Sequence, residues 1–312
     1  MVRSLRLGRG TALTLLIWVL AACSTPQTAQ LVQSPGAIPT KAEVAGLPFY
    51  PQEQFYCGPA ALATVLAWTG APISPNELAS QVYTPDRKGS LRNDIIVAAR
   101  RNGRIAVPVK NLRHLATEIA AGHPVLVFQN LALDWYPQWH FAVAIGYDLE
   151  RKEITLRSGR EPRRIVPLGT FERTWRRGDY WALVVLKPDT LPASADLISV
   201  LRAAAGLERA GRHSQAATAY AAVLSRWPDS FAAFIGLGNV RYAESKLVAA
   251  ETAFRKAIKL EPLRAEAWNN LAHVLAVQGR QTEAVAAARE AIRLSPNDQE
   301  PYLHTIREIS KS

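Results

Sequence analysis

The spacing of hydrophobic positions divides the chain into two regions that are expected to fold differently. In the first region, residues 45–187, helical periodicity comes before apolar runs of strand length. The helical patterns cover 59–68 and 91–102, and the strand-length runs cover 125–128, 141–147, 153–156 and 180–186. Helices followed by a group of neighbouring strands are typical of an α+β domain rather than of alternating βαβ units.

One helix start in this region is marked by its own side-chain chemistry. Ser74-Pro75-Asn76-Glu77 has the pattern of a capping box, in which the serine hydroxyl and the glutamate carboxylate bind free N–H groups of the first turn. Pro75 suits the first helical position because its missing N–H would have no partner there. The pattern predicts that a helix begins directly after Ser74.

The second region, residues 196–312, follows a Pro/Ala/Ser linker at 188–195 and has helical periodicity throughout. A 34-residue spacing relates three sets of residues: Pro228, Pro262 and Pro296; Ala216, Ala250 and Ala284; and Ala204, Gly238 and Ala272. This period, with small residues at helix crossings and proline closing each unit, resembles the tetratricopeptide repeat. The resemblance implies three repeats from about 197, 231 and 265 and a capping helix from about 299. An unrelated helical bundle would have to match the period by chance.

Composition agrees with two folded domains. The chain has 312 residues, of which 48% are apolar and 20% charged, and it contains only two cysteines. This length fits about two domains of roughly 150 residues each. The apolar fraction and the scarcity of cysteine exclude a disordered chain and a disulfide-stabilised scaffold.

The N-terminus has the features of an export signal. Arg3, Arg6 and Arg9 precede an apolar run at 11–20, and no acidic residue interrupts them. The run is too short for a permanent membrane span, so we expect a signal peptide over residues 1–22.

The end of this signal resembles the lipobox of bacterial lipoproteins. Leu20-Ala21-Ala22-Cys23 matches the motif, and the resemblance implies that Cys23 is lipidated and becomes the first residue of the mature chain. Several acyl chains on one residue give stable membrane anchoring. The resemblance also implies, from Ser24 at the next position, the periplasmic face of the outer membrane. A plain signal peptide is the alternative. Residues 23–44 are polar and small and are expected to form a tether to the fold.

The charge of the chain does not indicate a nucleic-acid partner. The formal net charge is +11 at pH 7, but the basic residues occur as scattered short pairs such as Arg163-Arg164 rather than as one patch. Such pairs are typical of a solvated surface, and contact with anionic lipid or cell-wall polymer is the alternative interpretation.

Cys57 is the candidate nucleophile. It precedes Gly58-Pro59 and an apolar helical run, so we expect it at the N-terminus of a buried helix. Free N–H groups and the helix dipole favour the thiolate there. With Cys23 lipidated, Cys57 is expected to be the only free thiol. A buried cysteine that packs as a small hydrophobic residue is the alternative.

A thiol nucleophile needs a histidine to take its proton, and His140 is the best candidate. His140 opens a buried strand, where its ring can be held rigidly, whereas His114 and His123 are expected at the surface. No two histidines stand three or four residues apart and the free cysteine is single, so we expect no metal site and no cofactor.

The order of these motifs resembles the papain-like cysteine peptidases of the bacteriocin-processing, double-glycine-leader family. A glutamine shortly precedes Cys57-Gly58-Pro59-Ala60-Ala61-Leu62, and His140 follows about 80 residues later on an apolar strand that ends in Gly146-Tyr147-Asp148. The resemblance covers about 45–187 and implies a papain-like α+β fold, with Cys57 as nucleophile and His140 as general base and acid. It also implies an oxyanion donor, for which Gln52 is the first choice and Gln54 stays possible because of the spacing.

The residue that orients the histidine departs from the family's pattern. The resemblance implies an Asp or Asn at the end of the strand after His140, and Ser158 stands there. A hydroxyl can accept the imidazole N–H but stabilises an imidazolium less than a carboxylate does. Asp148 ends the strand that His140 begins, about 25 Å away at ~3.3 Å per residue, and cannot replace it. Ser158 or a backbone carbonyl orients His140, or the site has drifted from hydrolysis.

An aromatic segment runs directly into His140. Trp135, Tyr136 and Trp139 lie within five residues of it. They could line a substrate groove beside the base or form a loop packed onto the domain, and the sequence does not decide between these interpretations.

These features predict a membrane-anchored periplasmic cysteine peptidase, a hydrolase that acts on a peptide or protein substrate while its repeats bind a protein partner. A catalytically weak peptidase-like scaffold or docking lipoprotein is the alternative from another class. An amidase acting on peptidoglycan stem peptides is a third hypothesis. The complete set of Cys57, His140 and Gln52 favours an enzyme, because a pure scaffold would not need it.

Overall fold

The computed structural model describes residues 25–51, 56–87, 89–297 and 299–309, together with every side chain in these ranges except that of Arg87. The predicted signal peptide, Cys23, Gln52 and Gln54 lie outside the described residues. Among the helices of the described ranges, none combines the length and the apolar character needed to cross a membrane.

The first domain contains six α-helices, one short 3-10 helix (Pro85–Arg87) and nine strands in its described ranges. The helices are α1 (Pro26–Gln33), α2 (Cys57–Trp68), α3 (Pro75–Val82), α4 (Arg92–Arg101), α5 (Leu112–Ala120) and α6 (Leu168–Arg176). The strands are β1 (Lys41–Glu43), β2 (Tyr83–Thr84), β3 (Gly89–Ser90), β4 (Ile105–Pro108), β5 (Val125–Asn130), β6 (Trp139–Asp148), β7 (Glu153–Ser158), β8 (Glu161–Pro167) and β9 (Ala182–Leu186).

Seven of these strands form one antiparallel sheet. Six of them follow the order β4-β9-β5-β6-β7-β8, and the seventh, β1, pairs with the far end of β6. Strands β2 and β3 form a separate small ladder. The longest strand, β6, lies near the centre of the sheet and packs against α2. This arrangement confirms the predicted α+β class and the helix-before-strand order around the candidate nucleophile.

Helix α2 lies in the interior of the first domain because it is apolar on every side. All nine residues from 58 to 66 are buried, so no polar face requires water. The Thr64 hydroxyl, the most polar group in this stretch, donates to the Ala60 carbonyl at 2.9 Å. The capping box at the start of α3 is confirmed, since the Ser74 hydroxyl accepts from the Glu77 N–H at 3.2 Å and the Glu77 carboxylate accepts from the Ser74 N–H.

The expectation that residues 23–44 form a tether is wrong for the described part of that range. The carboxylate of Glu172, itself buried, accepts the N–H groups of Gln27 at 3.1 Å and Thr28 at 2.7 Å. These are free first-turn donors of α1, which a buried anion satisfies well. The Gln27 side chain in turn accepts from the Leu112 N–H at 2.7 Å. A distant acidic residue therefore holds a short polar helix that local sequence does not predict.

The second region consists of paired helices in the spacing of the predicted repeats. They are α7 (Leu197–Arg209), α8 (His213–Arg226), α9 (Phe231–Ala243), α10 (Leu247–Leu260), α11 (Ala265–Val277), α12 (Gln281–Leu294) and α13 (Glu300–Ile309). Helices α7, α9 and α11 begin 34 residues apart, and small residues lie where the helices cross. At Gly238 in α9, an added Cβ would lie 2.7 Å from Cδ1 of the Phe254 ring, so this crossing requires glycine.

The turns inside the three repeats share one backbone conformation but not one residue type. Gly211 and Gly279 have φ values of 70° and 77°, and Ser245 occupies the equivalent turn with φ 59°. A residue with a side chain pays about 1–2 kcal/mol of strain in the left-handed region. Glycine avoids this strain but loses more conformational entropy on folding, which offsets part of the gain. We expect Ser245→Gly to increase the free energy of unfolding by roughly 0.5–1 kcal/mol, measured by urea denaturation of the full chain.

The matched controls for this prediction are Gly211→Ala and Gly279→Ala. An added Cβ at either glycine meets no atom within 4 Å, so each variant reports backbone strain alone and is expected to destabilise. A neutral or destabilising Ser245→Gly together with neutral alanine variants would contradict the strain argument.

The two regions share one hydrophobic core. Val200, Ala203 and Leu207 of α7 belong to the same buried cluster as the sheet of the first domain, and α7 packs on β4. The linker at 188–195 has no regular secondary structure, but it is bound to α5. The carboxylate of Glu118, fully buried, accepts from the backbone N–H of Ala193 at 3.2 Å and from that of Ser194 at 2.6 Å.

Candidate active site

The fold brings the nucleophile candidate to the strand that carries the candidate base. Cys57 is the first residue of α2, and its sulfur lies within hydrogen-bond reach of three backbone N–H groups, those of Cys57, Gly58 and Phe141. Phe141 follows His140 in β6, so the thiol lies one residue from the imidazole along that strand. Cys57 is the only cysteine in the described ranges, and it is a free thiol.

Burial sets the protonation state of this thiol. It raises the pKa of Cys57 above the ordinary value, and the three N–H groups, of which Phe141 contributes most, lower it only in part. Burial therefore outweighs the effect of the helix N-terminus on the pKa of Cys57 in the free protein. The helix amides do favour the anion, as predicted, but the sequence alone does not reveal how deeply the sulfur lies.

Ser158 holds the imidazole of His140. The Ser158 Oγ lies 2.8 Å from Nε2 of His140, and Ser158 itself is 3% exposed. The contact follows from the antiparallel register of β6 and β7, because Val143 pairs with Arg157 and places Ser158 two residues from His140 on the same face. With Nε2 occupied by the hydroxyl, Nδ1 is the nitrogen left for a proton from the thiol.

Asp148 lies where the strand geometry predicts, at the far end of β6. Its carboxylate lies 3.6 Å from Lys41 Nζ and accepts from the Arg151 N–H at 2.9 Å. It takes no part in orienting His140. Of the alternatives that the sequence left open for this role, the hydroxyl of Ser158 has the required distance.

The imidazole, like the thiol, is held in its neutral form. Burial, with a smaller contribution from the positive charge of Arg164, lowers the pKa of His140 to about 4. Among the residues that the structure describes, no carboxylate is bonded to Ser158 or His140 to oppose these effects. At neutral pH the free protein therefore carries a thiol and an uncharged imidazole rather than an ion pair.

The two remaining histidines of the domain play other roles. His114 lies in the first turn of α5 and is half-buried, and burial lowers its pKa. The expectation that His123 is a surface residue is wrong. Its side chain is 13% exposed, and Nδ1 lies 2.7 Å from the Glu118 carboxylate. No group of three or more His, Cys, Asp or Glu in the described part of the chain could hold a metal ion.

Ser90 is a neighbour of the nucleophile that sequence analysis did not single out. An added Cβ on Gly58 would lie 2.6 Å from Cβ of Ser90 and still closer to its hydroxyl, so β3 packs directly on the start of α2. The Ser90 hydroxyl is buried and has no hydrogen-bond partner among the described residues. The glycine after Cys57 is thus required by a close approach that only the folded structure reveals.

We expect Gly58→Ala to lower the free energy of unfolding by about 1–3 kcal/mol, because the new methyl group overlaps Ser90. Ser90→Gly removes both overlapping atoms, so the double variant is expected to regain most of the loss in a urea denaturation experiment. Ser90→Gly alone is the control. A Gly58→Ala loss that persists unchanged in the double variant would contradict this packing.

The loop before His140 presents its aromatic side chains to solvent. Trp135 is 80% exposed and Tyr136 is 72% exposed, so the interpretation as a loop packed onto the domain is wrong for these two side chains. Trp139, half-exposed, stacks on Phe128 at 5.2 Å between ring centroids. The loop thus presents two exposed aromatic side chains four and five residues before His140 in the chain.

Both regions match known protein families. Residues 44–180 match the Peptidase_C39 like family, and residues 201–260 and 245–299 match a tetratricopeptide-repeat family. No sequence among the curated proteins matches the chain.

Solved structures similar to each region have low sequence identity. A protein assigned as a C39-like peptidase from Bacillus anthracis is 20% identical over 47% of this chain and 98% of its own, with a TM-score of 0.41. The translocator chaperone SycD of Yersinia enterocolitica is 18% identical over 36% of this chain and 83% of its own, with a TM-score of 0.35. The first TPR of Spaghetti, bound to an HSP90 peptide, is 16% identical over 37% of this chain and 90% of its own, with a TM-score of 0.35.

Proposed function

We propose that this chain, which combines a C39-like peptidase domain with tetratricopeptide repeats, is a cysteine peptidase that hydrolyses peptide bonds with Cys57 and His140. The observation that carries the proposal is the position of the two residues. The Cys57 sulfur is within hydrogen-bond reach of the backbone N–H of Phe141, the residue that follows His140. The Ser158 Oγ lies 2.8 Å from Nε2 of His140.

The neutral resting pair defines the first chemical step. Nδ1 of His140 takes the thiol proton as the Cys57 sulfur attacks the carbonyl carbon of the scissile bond. The imidazolium then gives this proton to the leaving amine, and a thioester forms. Water, deprotonated by His140, attacks the thioester, which releases the acid product and restores the thiol. The low pKa of His140 makes it a weak base, so catalysis depends on how well the site stabilises the anionic intermediate.

Backbone and side-chain amides supply that stabilisation in the proposed mechanism. The Cys57 N–H lies at the N-terminus of α2, where the first-turn amides have no partner within the helix. The side-chain amide of Gln52, or of Gln54, would be the second donor, as the family resemblance implies.

The proposed location is the periplasmic face of the outer membrane, with lipid on Cys23. The lipobox-like residues 20–23 support this proposal. The tetratricopeptide repeats are proposed to bind a protein partner, because paired helices of this kind form a surface suited to peptides and helices.

The proposal is tested by incubating the full chain with a pool of unstructured peptides and, separately, with peptidoglycan stem peptides. Products are followed by mass spectrometry. We expect cleavage by the wild type and a loss of about 10³-fold or more in Cys57→Ala and His140→Ala. Cleavage of stem peptides alone would favour the amidase hypothesis.

A catalytically weak scaffold is the second candidate, and Ser158 in place of a carboxylate favours it. No cleavage of either substrate class above the level of Cys57→Ala would support the scaffold and overturn the peptidase. Retained binding of a protein partner by Cys57→Ala would then locate the function in the repeats.

The aromatic loop gives a prediction about substrate binding. Because Trp135 and Tyr136 are exposed in the loop that leads into His140, we expect them to contact the peptide rather than to stabilise the fold. Replacing either with Ala is expected to raise KM about tenfold with little change in kcat, since an aromatic contact contributes about 1.4 kcal/mol or less. Leu263→Ala is the control, because Leu263 is 74% exposed in the repeat region. A loss in kcat alone would contradict a binding role.

A further inference from the structure

A cavity of about 430 Å³ lies where the first domain meets the first repeat. Helix α4 contributes Val97, Arg100 and Arg101, and the end of α7 contributes Gly206, Arg209 and Ala210. Three of the six lining residues are arginines, and none is acidic. The cavity is separate from the candidate active site, which lies at the start of α2.

The arginines around this cavity lack the partners that would neutralise them. Within the ranges that the structure describes, no ion pair or hydrogen bond from the side chains of Arg100, Arg101 or Arg209 is found. The Nε atom of Arg100 is buried, and no atom in the described part of the chain is its hydrogen-bond partner. An unpaired buried guanidinium N–H is costly, and proteins ordinarily satisfy such donors with an acceptor.

Arg100 is held in the cavity wall by the backbone of the neighbouring domain. An added Cβ on Gly206 would lie 2.5 Å from Cζ of Arg100, so the guanidinium packs directly on the bare glycine of α7. This contact keeps the side chain of Arg100 across the domain boundary instead of extended into water. The charge is therefore fixed in place before any ligand arrives.

The positive charges of Arg100 and Arg209 also repel each other. Burial lowers the pKa of Arg100, and the positive charge of Arg209 lowers it further. The last turns of α4 and α7 suit cations because of the helix dipole, which explains why arginine occurs at both ends. The dipoles do not provide the acceptor atoms that the guanidinium groups lack.

We propose that this cavity binds an oxyanion, a phosphate or carboxylate group, between Arg100 of the peptidase-like domain and Arg209 of the first repeat. The planar guanidinium donates paired N–H groups in a geometry that matches both kinds of anion. Because the two arginines belong to different domains, the bound anion also holds the first repeat against the peptidase-like domain. Ligand binding and the stability of the junction are then coupled in both directions.

The test uses the full chain with inorganic phosphate as the probe and sodium chloride at the same ionic strength as the reference. The midpoint temperature of thermal unfolding is expected to rise by about 5 °C at saturating phosphate. Titration calorimetry is expected to give one phosphate-binding site per chain. Succinate in a parallel titration distinguishes a carboxylate from a phosphate ligand, and saturable binding of either supports the proposal.

Arg209→Gln gives the sharper result because Arg209 is exposed and its loss does not endanger the fold. We expect this variant to unfold at a higher temperature than the wild type without phosphate, since one of two repelling charges is gone. We also expect it to bind the anion at least tenfold more weakly. Arg289→Gln, the same change at an exposed site in α12, is expected to match the wild type. A phosphate effect no larger than that of chloride, or full binding by Arg209→Gln, would overturn the proposal.

Discussion

Replacing Ser158 with Asp is expected to raise the pKa of His140 from about 4 to above its ordinary value and to increase the alkylation rate of Cys57 at neutral pH about tenfold or more. The hydroxyl 2.8 Å from Nε2 would become a carboxylate. A negative charge at that distance favours the imidazolium, so the pKa of His140 rises. The imidazolium in turn favours the thiolate, so the pKa of Cys57 falls.

The measurement is the pH dependence of alkylation by iodoacetamide. The wild type is expected to show a single rise above the ordinary thiol pKa, because burial disfavours both charged forms. Ser158→Asp is expected to add a plateau at lower pH, and Ser158→Asn, of similar size but uncharged, is expected not to. Removing His140 from the Asp variant should abolish the plateau. A Ser158→Asp profile identical to that of the wild type would mean that another group orients His140 in solution.

Glu118→Ala is expected to lower the free energy of unfolding by about 3–5 kcal/mol, because one buried carboxylate serves several donors. Burial raises the pKa of Glu118, but His123 and the linker donors lower it more, so the group is charged in the folded protein. Its removal leaves the N–H groups of Ala193 and Ser194 without their acceptor. The same contribution is expected to disappear in the wild type as the pH falls below the ordinary glutamate pKa and through the lower folded value.

Urea denaturation and limited proteolysis of the linker measure this effect. Asp196→Asn is the matched control, because Asp196 pairs with Lys110 at the same junction but both side chains are about half exposed. We expect it to cost less than about 1 kcal/mol. Equal losses in the two variants would mean that the buried position of Glu118 has no special role. Unchanged cleavage of the linker in Glu118→Ala would mean that Glu118 does not hold it.

Elements with strong local signals could be predicted from the sequence. The capping box marks the start of α3, the 34-residue period marks the paired helices, and an apolar run marks α2. The positions of His140 and Ser158 on adjacent strands also followed from motif order and strand length. These features are local, so a short window of residues contains them.

The elements that were not predicted are held by distant partners. The short helix α1 has Glu172 at its N-terminus, a residue about 145 positions away. Strand β8 is exposed at six of its seven positions, so its sequence lacks the alternation of apolar and polar residues expected of a half-buried strand. Its Pro162 and paired arginines are typical of the edge of a sheet. The protonation of Cys57 and His140 depends on burial from several elements at once, and no local pattern contains that quantity.

The early start of α1 limits the reach of the proposed enzyme. Under the proposed lipidation of Cys23, only Ser24 and Thr25 separate the lipid-bearing residue from the first helix. The three residue steps from Cys23 to Pro26 span at most about 11 Å at ~3.5 Å per residue. The catalytic centre then works at a fixed height above the bilayer, set by the body of the protein itself. The active site would then not reach substrates that are far from the membrane. A peptide would have to come to the membrane surface, or be brought there by the partner of the repeats.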